Sequence, residues 1–290
     1  MGMFGLFNIN KPSGITSRDA VDCVQRIVKP DKVGHAGTLD PLASGVLVVC
    51  VGRATRLAEY VQRMRKKYTA TYLLGRTSDT DDVEGAVVEL ADAPVPSREQ
   101  IEQALAGFVG DIQQRPPVYS AIKLAGQRAY ARARRGEAVE LAPRTVSVYE
   151  IRLVEYDYPK LVLDVTCGAG TYLRSLGRDL GQALGSGAVM SALVRTAIGD
   201  FSISDACPLD ELTQENVQQR LLPPVRAVAE LPQVQLTADE ERHVLMGRMI
   251  ARPGIAPAPE YAALSEAGEL AAILVPRGGD RLGPVRVFAG

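Results

Sequence analysis

The stretch Gly34-His35-Ala36-Gly37-Thr38-Leu39-Asp40-Pro41-Leu42-Ala43-Ser44-Gly45 runs without a break into the apolar residues Val46 to Val51. A short, continuous apolar run bounded by turn residues reads as a buried strand. The turn before it is heavily specified. Gly34, Gly37 and Gly45 open backbone conformations closed to other residues, and Pro41 fixes φ immediately after Asp40. A solvated surface loop does not need that much specification, whereas a carboxylate held still against a substrate does. A turn-capping role is the other reading of Asp40.

The chain of 290 residues has room for one large domain and a small one. Its 46% hydrophobic and 23% charged content is ordinary for a soluble globular protein. Met1 to Asn10 lacks the basic-then-apolar layout of a signal peptide, and no apolar run is long enough to span a bilayer. Cys23, Cys50, Cys167 and Cys207 are widely spaced with no CxxC pair, which argues against disulfides or structural zinc and fits a reducing cytoplasm. The net charge of −1 hides an uneven distribution. Between Ala121 and Arg152 seven basic residues (Lys123, Arg128, Arg132, Arg134, Arg135, Arg144, Arg152) face three acidic ones (Glu137, Glu140, Glu150). Arg63, Arg65, Lys66 and Lys67 cluster beside Tyr68, and acids gather at Asp79, Asp81, Asp82 and Glu84. A basic face suits a polyanion such as nucleic acid; a solvated charge run is the alternative.

In chain order, Phe7 to Asn10 reads as a strand, and Thr16 with Asp19 as a capping box. Ala20, Val21, Val24, Ile27 and Val28 keep helical spacing up to Pro30. Leu57, Ala58, Val61 and Met64 mark a second helix, and Tyr68 to Leu74 a strand. Thr77 to Asp82 lacks the Gly and terminal Glu of a calcium loop and reads as a polar loop. Ser97 and Gln100 cap a helix bearing Ile101, Leu105 and Phe108. Arg115 to Ala121 is extended by its prolines, and an arginine-rich helix is expected from Gln127 to Arg135. Val146 to Val154 and Leu161 to Val165 alternate across a hairpin at Tyr156 to Lys160. Gly168-Ala169-Gly170 then turns into a helix bearing Leu173, Leu176, Leu180 and Leu184, with Thr171 as N-cap. A strand at Val189 to Val194 and a helix near Pro208 to Leu222 follow. Pro223-Pro224 and Leu231-Pro232 bracket an expected linker. The remainder to Gly290 reads as a small β-rich module with a helical patch at Ala238 to Met246, marginal unless docked.

The glycines after Leu161 to Thr166 permit a rival reading. A strand followed by GxG opening a helix is similar to the first motif of S-adenosylmethionine-dependent methyltransferases and to a dinucleotide fingerprint. Thr166 and Leu173 stand where those motifs require glycine, and Val194-Arg195-Thr196 offers no acidic ribose ligand. The helix itself raises another question. Arg174 falls in its first turn, where the backbone favours anions, so either a carboxylate elsewhere holds it or it extends into solvent.

Gly37-Thr38-Leu39-Asp40-Pro41-Leu42-Ala43-Ser44-Gly45 resembles the catalytic-aspartate motif of the TruB family, the tRNA pseudouridine-55 synthases, whose superfamily includes the dyskerin enzymes. Lys11-Pro12-Ser13-Gly14-Ile15-Thr16-Ser17 resembles the family's N-terminal motif. Lys66-Lys67-Tyr68 resembles its tyrosine motif, and Gly75 to Asp81 continues that match. Pro117 to Lys123 and Cys167 to Leu176 resemble two more. The matches occur in order over about residues 11 to 200, and the tail resembles the family's PUA-type RNA-binding module more loosely.

The resemblance implies an α+β pseudouridine synthase fold: a mixed, largely antiparallel sheet flanked by helices (1–225), then a small β-rich PUA-like domain (226–290). It implies isomerisation of uridine 55 in the tRNA T-loop to pseudouridine, with no cofactor or metal. A non-catalytic RNA-binding or chaperone protein on the same scaffold is the alternative. Asp40 would act on the ribose, at C1′ or C2′, and Arg174 would keep it charged. Tyr68 would stack on the target base, its hydroxyl a candidate proton acceptor, and His35 would fill the space the flipped uridine leaves. Lys11 would support the loop or touch phosphate, and Lys123, Arg128 and Arg132 would contact phosphates. Leu193 joins these as a substrate contact. Nothing in the sequence demands more than a monomer.

Overall fold

In the computed structural model, which describes residues 2–119 and 141–288 and the backbone of 123–124 and 127–128, Val46 to Val51 are completely buried. Val46, Val48 and Cys50 face one core, and Leu47, Val49 and Val51 face another. A strand covered on both sides has no polar face, so the run shows no alternation.

The chain opens with β1 (Gly5–Lys11), α1 (Ser17–Val28), β2 (Val33–His35) and β3 (Ser44–Val51). A 3₁₀ turn (Gly52–Leu57) and α2 (Ala58–Arg63) lead to β4 (Lys66–Leu74). β5 (Arg76–Ser78) and β6 (Val87–Glu89) form a separate hairpin before α3 (Arg98–Ala106) and β7 (Gly110–Gln114). The Thr16–Asp19 and Ser97–Gln100 capping boxes both form. β8 (Lys123–Leu124) and β9 (Gln127–Arg128) pair with each other. Next come β10 (Arg144–Asp157), β11 (Lys160–Cys167), α4 (Leu173–Ala183), β12 (Ala188–Ile198), β13 (Phe201–Ser202), β14 (Cys207–Pro208) and α5 (Val217–Arg220). A second sheet contains β15 (Gln233–Gln235), then, after α6 (Ala238–Leu245), β16 (Ile250–Ala251), β17 (Tyr261–Leu264), β18 (Leu270–Pro276) and β19 (Arg281–Val287).

The large sheet runs β14-β1-β3-β12-β4-β11-β10-β7, with β2 beside β3 and β13 beside β12. The β1–β14 and β3–β12 contacts are parallel and the rest antiparallel. This is the mixed, largely antiparallel sheet of the expected α+β class. α1 covers β1 and β3 on one side, while α3 and α4 cover β4, β11 and β12. The second sheet sits against the other side of β1 and β3, where Leu264, Leu270, Ile273 and Phe288 join Leu6, Val46 and Val48 in one core. Each such side chain withdrawn from water contributes about 1.5–3 kcal/mol, which is how so small a module is held. Phe288 also stacks on Phe4 at 5.5 Å, and the Tyr60 hydroxyl donates to Glu260 at 2.9 Å. No helix among the described residues is long and apolar enough to cross a membrane.

Several local expectations are corrected. Between Pro208 and Leu222 there is no continuous helix but a 3₁₀ turn (Leu209–Glu211) and α5. The Asn216 amide accepts from the Thr213 N–H and donates to the Glu211 carbonyl, and such side-chain bonds compete with a helix. The expected linker is not free: Leu222 and Leu6 exchange backbone bonds, and Ala227 and Val228 are buried in the shared core. Gln127 and Arg128 are strand rather than helix, and the remainder of that expected helix lies outside the described residues. The GxG rival fails on topology. β11 is antiparallel to both its neighbours, whereas nucleotide-binding GxG turns follow a strand of a parallel sheet.

Candidate active site

The loop carrying Asp40 is fastened from two sides. The Ser17 hydroxyl, on α1, accepts from the Leu39 N–H (2.8 Å) and lies 3.0 Å from the Leu39 carbonyl. The Gly14 N–H donates to Pro41 (2.8 Å) and the Ser13 hydroxyl to Leu42 (3.0 Å). Lys11, wholly buried, donates to the Pro12 and Ile15 carbonyls at 2.8 and 2.7 Å and so shapes the segment that grips the loop. Burial pushes its ammonium down to about 8, with Asp40 pulling the other way. A buried lysine bonded to these carbonyls braces the segment beside the loop.

From the other side, Arg195 of β12 reaches under the turn with 1% of its surface exposed. Its Nε donates to Val46 at 2.7 Å, Nη2 to Gly37 at 3.1 Å and Nη1 to Thr38 at 3.4 Å. β3 and β12 meet here in parallel, with Gly45 opposite Arg195. Gly45 has φ +100°, and a Cβ would collide with the Arg195 carbonyl oxygen, so both backbone and space require glycine. Sequence reasoning noticed Arg195 only as the absence of an acid.

Asp40 projects from this loop with 37% of its side chain exposed, its inner oxygen 3.0 Å from Arg174 Nε. The N–H is not aligned on that oxygen, so the contact is an ion pair rather than a hydrogen bond. The N-cap of α4 is Tyr172 rather than Thr171. No side chain caps its first turn; Gln114 of β7 instead ties down Tyr172, accepting from its N–H at 2.8 Å and donating to its carbonyl at 3.1 Å. Arg174 is buried in the first turn and held all round. Nη1 donates to the Thr80 carbonyl (3.0 Å) and lies 3.4 Å from Asp82, while Nη2 donates to the Tyr119 carbonyl (2.9 Å). The charge out of place in the helix is therefore paired.

Asp82 is the residue sequence reasoning missed. It stands in the stretch read as a polar loop, yet only 3% of its side chain is exposed. Its Oδ1 accepts from the Thr80 hydroxyl (2.6 Å) and the Glu84 N–H (3.1 Å). Burial raises the Asp40 carboxyl above its ordinary range; Arg174 pulls it back and Asp82 adds to the rise. The Glu84 carboxyl is pushed up too, by burial and then by Asp82 and Asp40.

Tyr68, on β4, is buried and pairs in register with Arg195. Burial pushes its phenol up, partly offset by Arg195, so the hydroxyl keeps its proton at neutral pH. Leu193 is buried with Tyr68, Leu39 and Ala43 in one apolar cluster beneath the Asp40 loop. His35 sits half-buried on β2, opposite Val49. Burial, then Arg195 and Arg18, lower its pKa, so the ring is neutral at pH 7, and its Nδ1 has no hydrogen-bond partner among the described residues. The backbones of Lys123 and Arg128 pair across the β8–β9 hairpin, and Arg132 lies outside the described residues.

A mixed sheet thus presents one aspartate beside a buried arginine, with a tyrosine on a neighbouring strand. The TruB family pseudouridylate synthase N-terminal domain matches residues 25–173, and the tRNA pseudouridylate synthase B C-terminal domain matches 174–228. The tRNA pseudouridine synthase B of Xanthomonas campestris pv. campestris (strain B100) is 39% identical over 293 residues, covering 99% of this chain and 95% of that protein. That of Arthrobacter sp. (strain FB24) is 42% identical over 298 residues, covering 98% and 96%. Among solved structures, an H/ACA ribonucleoprotein bound to a substrate RNA containing 2′-deoxyuridine superposes with TM-score 0.77 at 27% identity, over 99% of this chain and 86% of that one. A Cbf5–Nop10–Gar1 complex gives 0.76 at 29%, over 99% and 84%. The chain belongs to the TruB family of pseudouridylate synthases.

Proposed function

We propose that this chain converts uridine 55 in the T-loop of tRNA to pseudouridine, in the cytoplasm, as a single chain and without a cofactor. Asp40 carries the reading: a carboxylate in a braced loop, paired with buried Arg174 on one side and open on the other. The N1–C1′ bond of the uridine breaks, the uracil turns while bound, and C5 bonds to C1′ and gives up its hydrogen as a proton while N1 takes one up. Asp40 either attacks C1′ or assists elimination at C2′; in both cases an ionised carboxylate meets an electron-poor sugar carbon, as in glycosidases. Arg174 favours that ionised form. Tyr68 stacks on the flipped base above Leu193, and neutral His35 occupies the vacated place in the RNA stack. Lys123, Arg128 and Arg132 hold phosphates. Residues 1–225 form the catalytic unit, and 226–290 a PUA-like RNA-binding unit docked on it.

The test uses unmodified tRNA tritiated at uridine C5, with no added cofactor. Bonding of C5 to the sugar releases the label, so wild-type protein liberates tritium stoichiometrically with uridine 55. Asp40→Asn binds the same tRNA and liberates none. A folded wild-type preparation that released no tritium would overturn the reading.

A further inference from the structure

Arg178 and Asp81 have no part in the chemistry above, but they meet at its edge. Arg178 lies one turn beyond Arg174 on α4, which puts both side chains on the same face. Its guanidinium is engaged on three sides. Nη1 is 2.9 Å from Asp81 Oδ2, Nε donates to Asp179 at 2.9 Å, and Nη2 donates to the Arg115 carbonyl at 2.9 Å. The Ser175 hydroxyl donates to the same carbonyl at 3.0 Å. Arg174 repeats this pattern, gripping Thr80 and Asp82 on one side and Tyr119 on the other. Two successive arginine forks thus fasten the same two segments, 80–82 and 115–119, to one helix.

Asp81 adds an independent observation. It adopts φ +63°, the left-handed region that costs a residue with a Cβ free energy and persists only where the surroundings impose it. The surroundings are visible. The Asp81 carbonyl accepts from the Met190 N–H at 3.1 Å, and the Val83 N–H donates to Met190 at 3.0 Å. The Asp81 carboxylate is held by Arg178. This bent backbone is the one from which Asp82 projects toward Arg174. The charged groups around Arg178 are Asp81 and Asp179, with Arg174 beyond Asp81.

We propose that Arg178, paired with Asp81, is a positioning residue: it sets the plane of the Arg174 guanidinium, and through it the Asp40 carboxylate, without touching substrate. Released from Arg178, the 80–82 loop and the 115–119 segment no longer present the two carbonyls that clamp Arg174 from opposite sides. The proposal rests on the pseudouridine synthase reading.

The experiment measures single-turnover tritium release from C5-labelled tRNA with enzyme in excess, and tRNA affinity separately by filter binding. Arg178→Ala is expected to slow release roughly tenfold or more, because small misplacements of a reacting group are expensive, while tRNA affinity stays at the wild-type value. Asp81→Asn tests the charge alone, since asparagine also accepts the left-handed region, and slows release similarly. Arg178→Lys keeps a cation for Asp81 and recovers part of the rate. The double variant, Arg178→Ala with Asp81→Asn, is no slower than Arg178→Ala alone. Wild-type rates in the single variants, a loss confined to affinity, or losses that multiply in the double variant would each overturn the proposal. If Arg178→Ala does not fold, Asp81→Asn and Arg178→Lys decide it. Wild-type release is the control: its absence overturns the activity, whereas its presence beside unaffected variants overturns only the positioning role.

Discussion

Two buried guanidiniums stand on either side of the Asp40 loop and are satisfied by different means. Arg174 is met by two carboxylates, Asp40 and Asp82, together with two carbonyls. Arg195 is met by three carbonyls, and no carboxylate among the described residues forms an ion pair with it. The first arrangement acts on the charge of the Asp40 carboxylate; the second decides where its loop lies. A charge neutralised by carbonyl dipoles alone still acts on its neighbours. Arg195 is among the causes that lower the pKa values of His35, Lys11 and Lys66, the two lysines to about 8. The Arg174 corner is thus electrically closed and the Arg195 corner electrically open, with Asp40 between them.

Removing each arginine should separate these roles. Arg174→Ala leaves Asp40 and Asp82 facing each other without their cation. Breaking a buried pair in this way is expected to lower the unfolding free energy by about 3–5 kcal/mol, with turnover lost, as read by urea denaturation and tritium release. A loss under about 1 kcal/mol, the range of exposed pairs, would show that solvent already screens this corner. Arg195→Met is expected to cost less, about 1–3 kcal/mol, because it strips donors from three carbonyls but also removes an unpaired charge. Arg195→Lys should not restore turnover, since one ammonium cannot span the three carbonyls that the planar fork reaches. A larger loss for Arg195→Met than for Arg174→Ala would reverse the comparison.

The smallest effect is on stability and concerns Asp40 itself. Its carboxyl is raised above the ordinary 3.8 in the folded protein. The folded state therefore binds that proton more tightly than the unfolded chain, and this group's contribution to stability falls as pH rises through the window between the two values. At neutral pH Asp40→Asn should melt no lower than wild type while abolishing turnover. In the wild type, the acid limb of the single-turnover rate should lie above the usual carboxylate range. A clear drop in melting temperature for Asp40→Asn would mean that Arg174 stabilises the carboxylate by more than burial opposes it.

Much of the local structure was legible along the chain. The Thr16–Asp19 and Ser97–Gln100 caps, the unbroken Val46 to Val51 strand and the hairpin before Leu161 all depend on residues within a turn or a strand of one another, and each forms. The odd position of Arg174 was legible in part: a cation in a first helical turn is either held by a carboxylate from elsewhere or extends into solvent, and in the fold Asp40 is there. The nearby errors have a common origin. Thr171 is a reasonable N-cap by sequence, but Tyr172 stands at that position, held by Gln114 from another strand. Asp82 sits in a run of acids that reads as solvated, and Arg174 arriving from α4, with the Thr80 hydroxyl and the Glu84 N–H, makes its burial tolerable.

Sequence alone therefore determined many of the elements and the constrained loop, because caps, turns and strand patterns are short-range and carry their own chemistry; it was the family resemblance that singled out Asp40 as the candidate nucleophile. Which charges meet in the interior was decided by the tertiary structure. Burying a carboxylate or a guanidinium is favourable only when partners from distant segments come within a few ångströms, and those distances exist only once the sheet, α4 and the 80–82 loop have packed together.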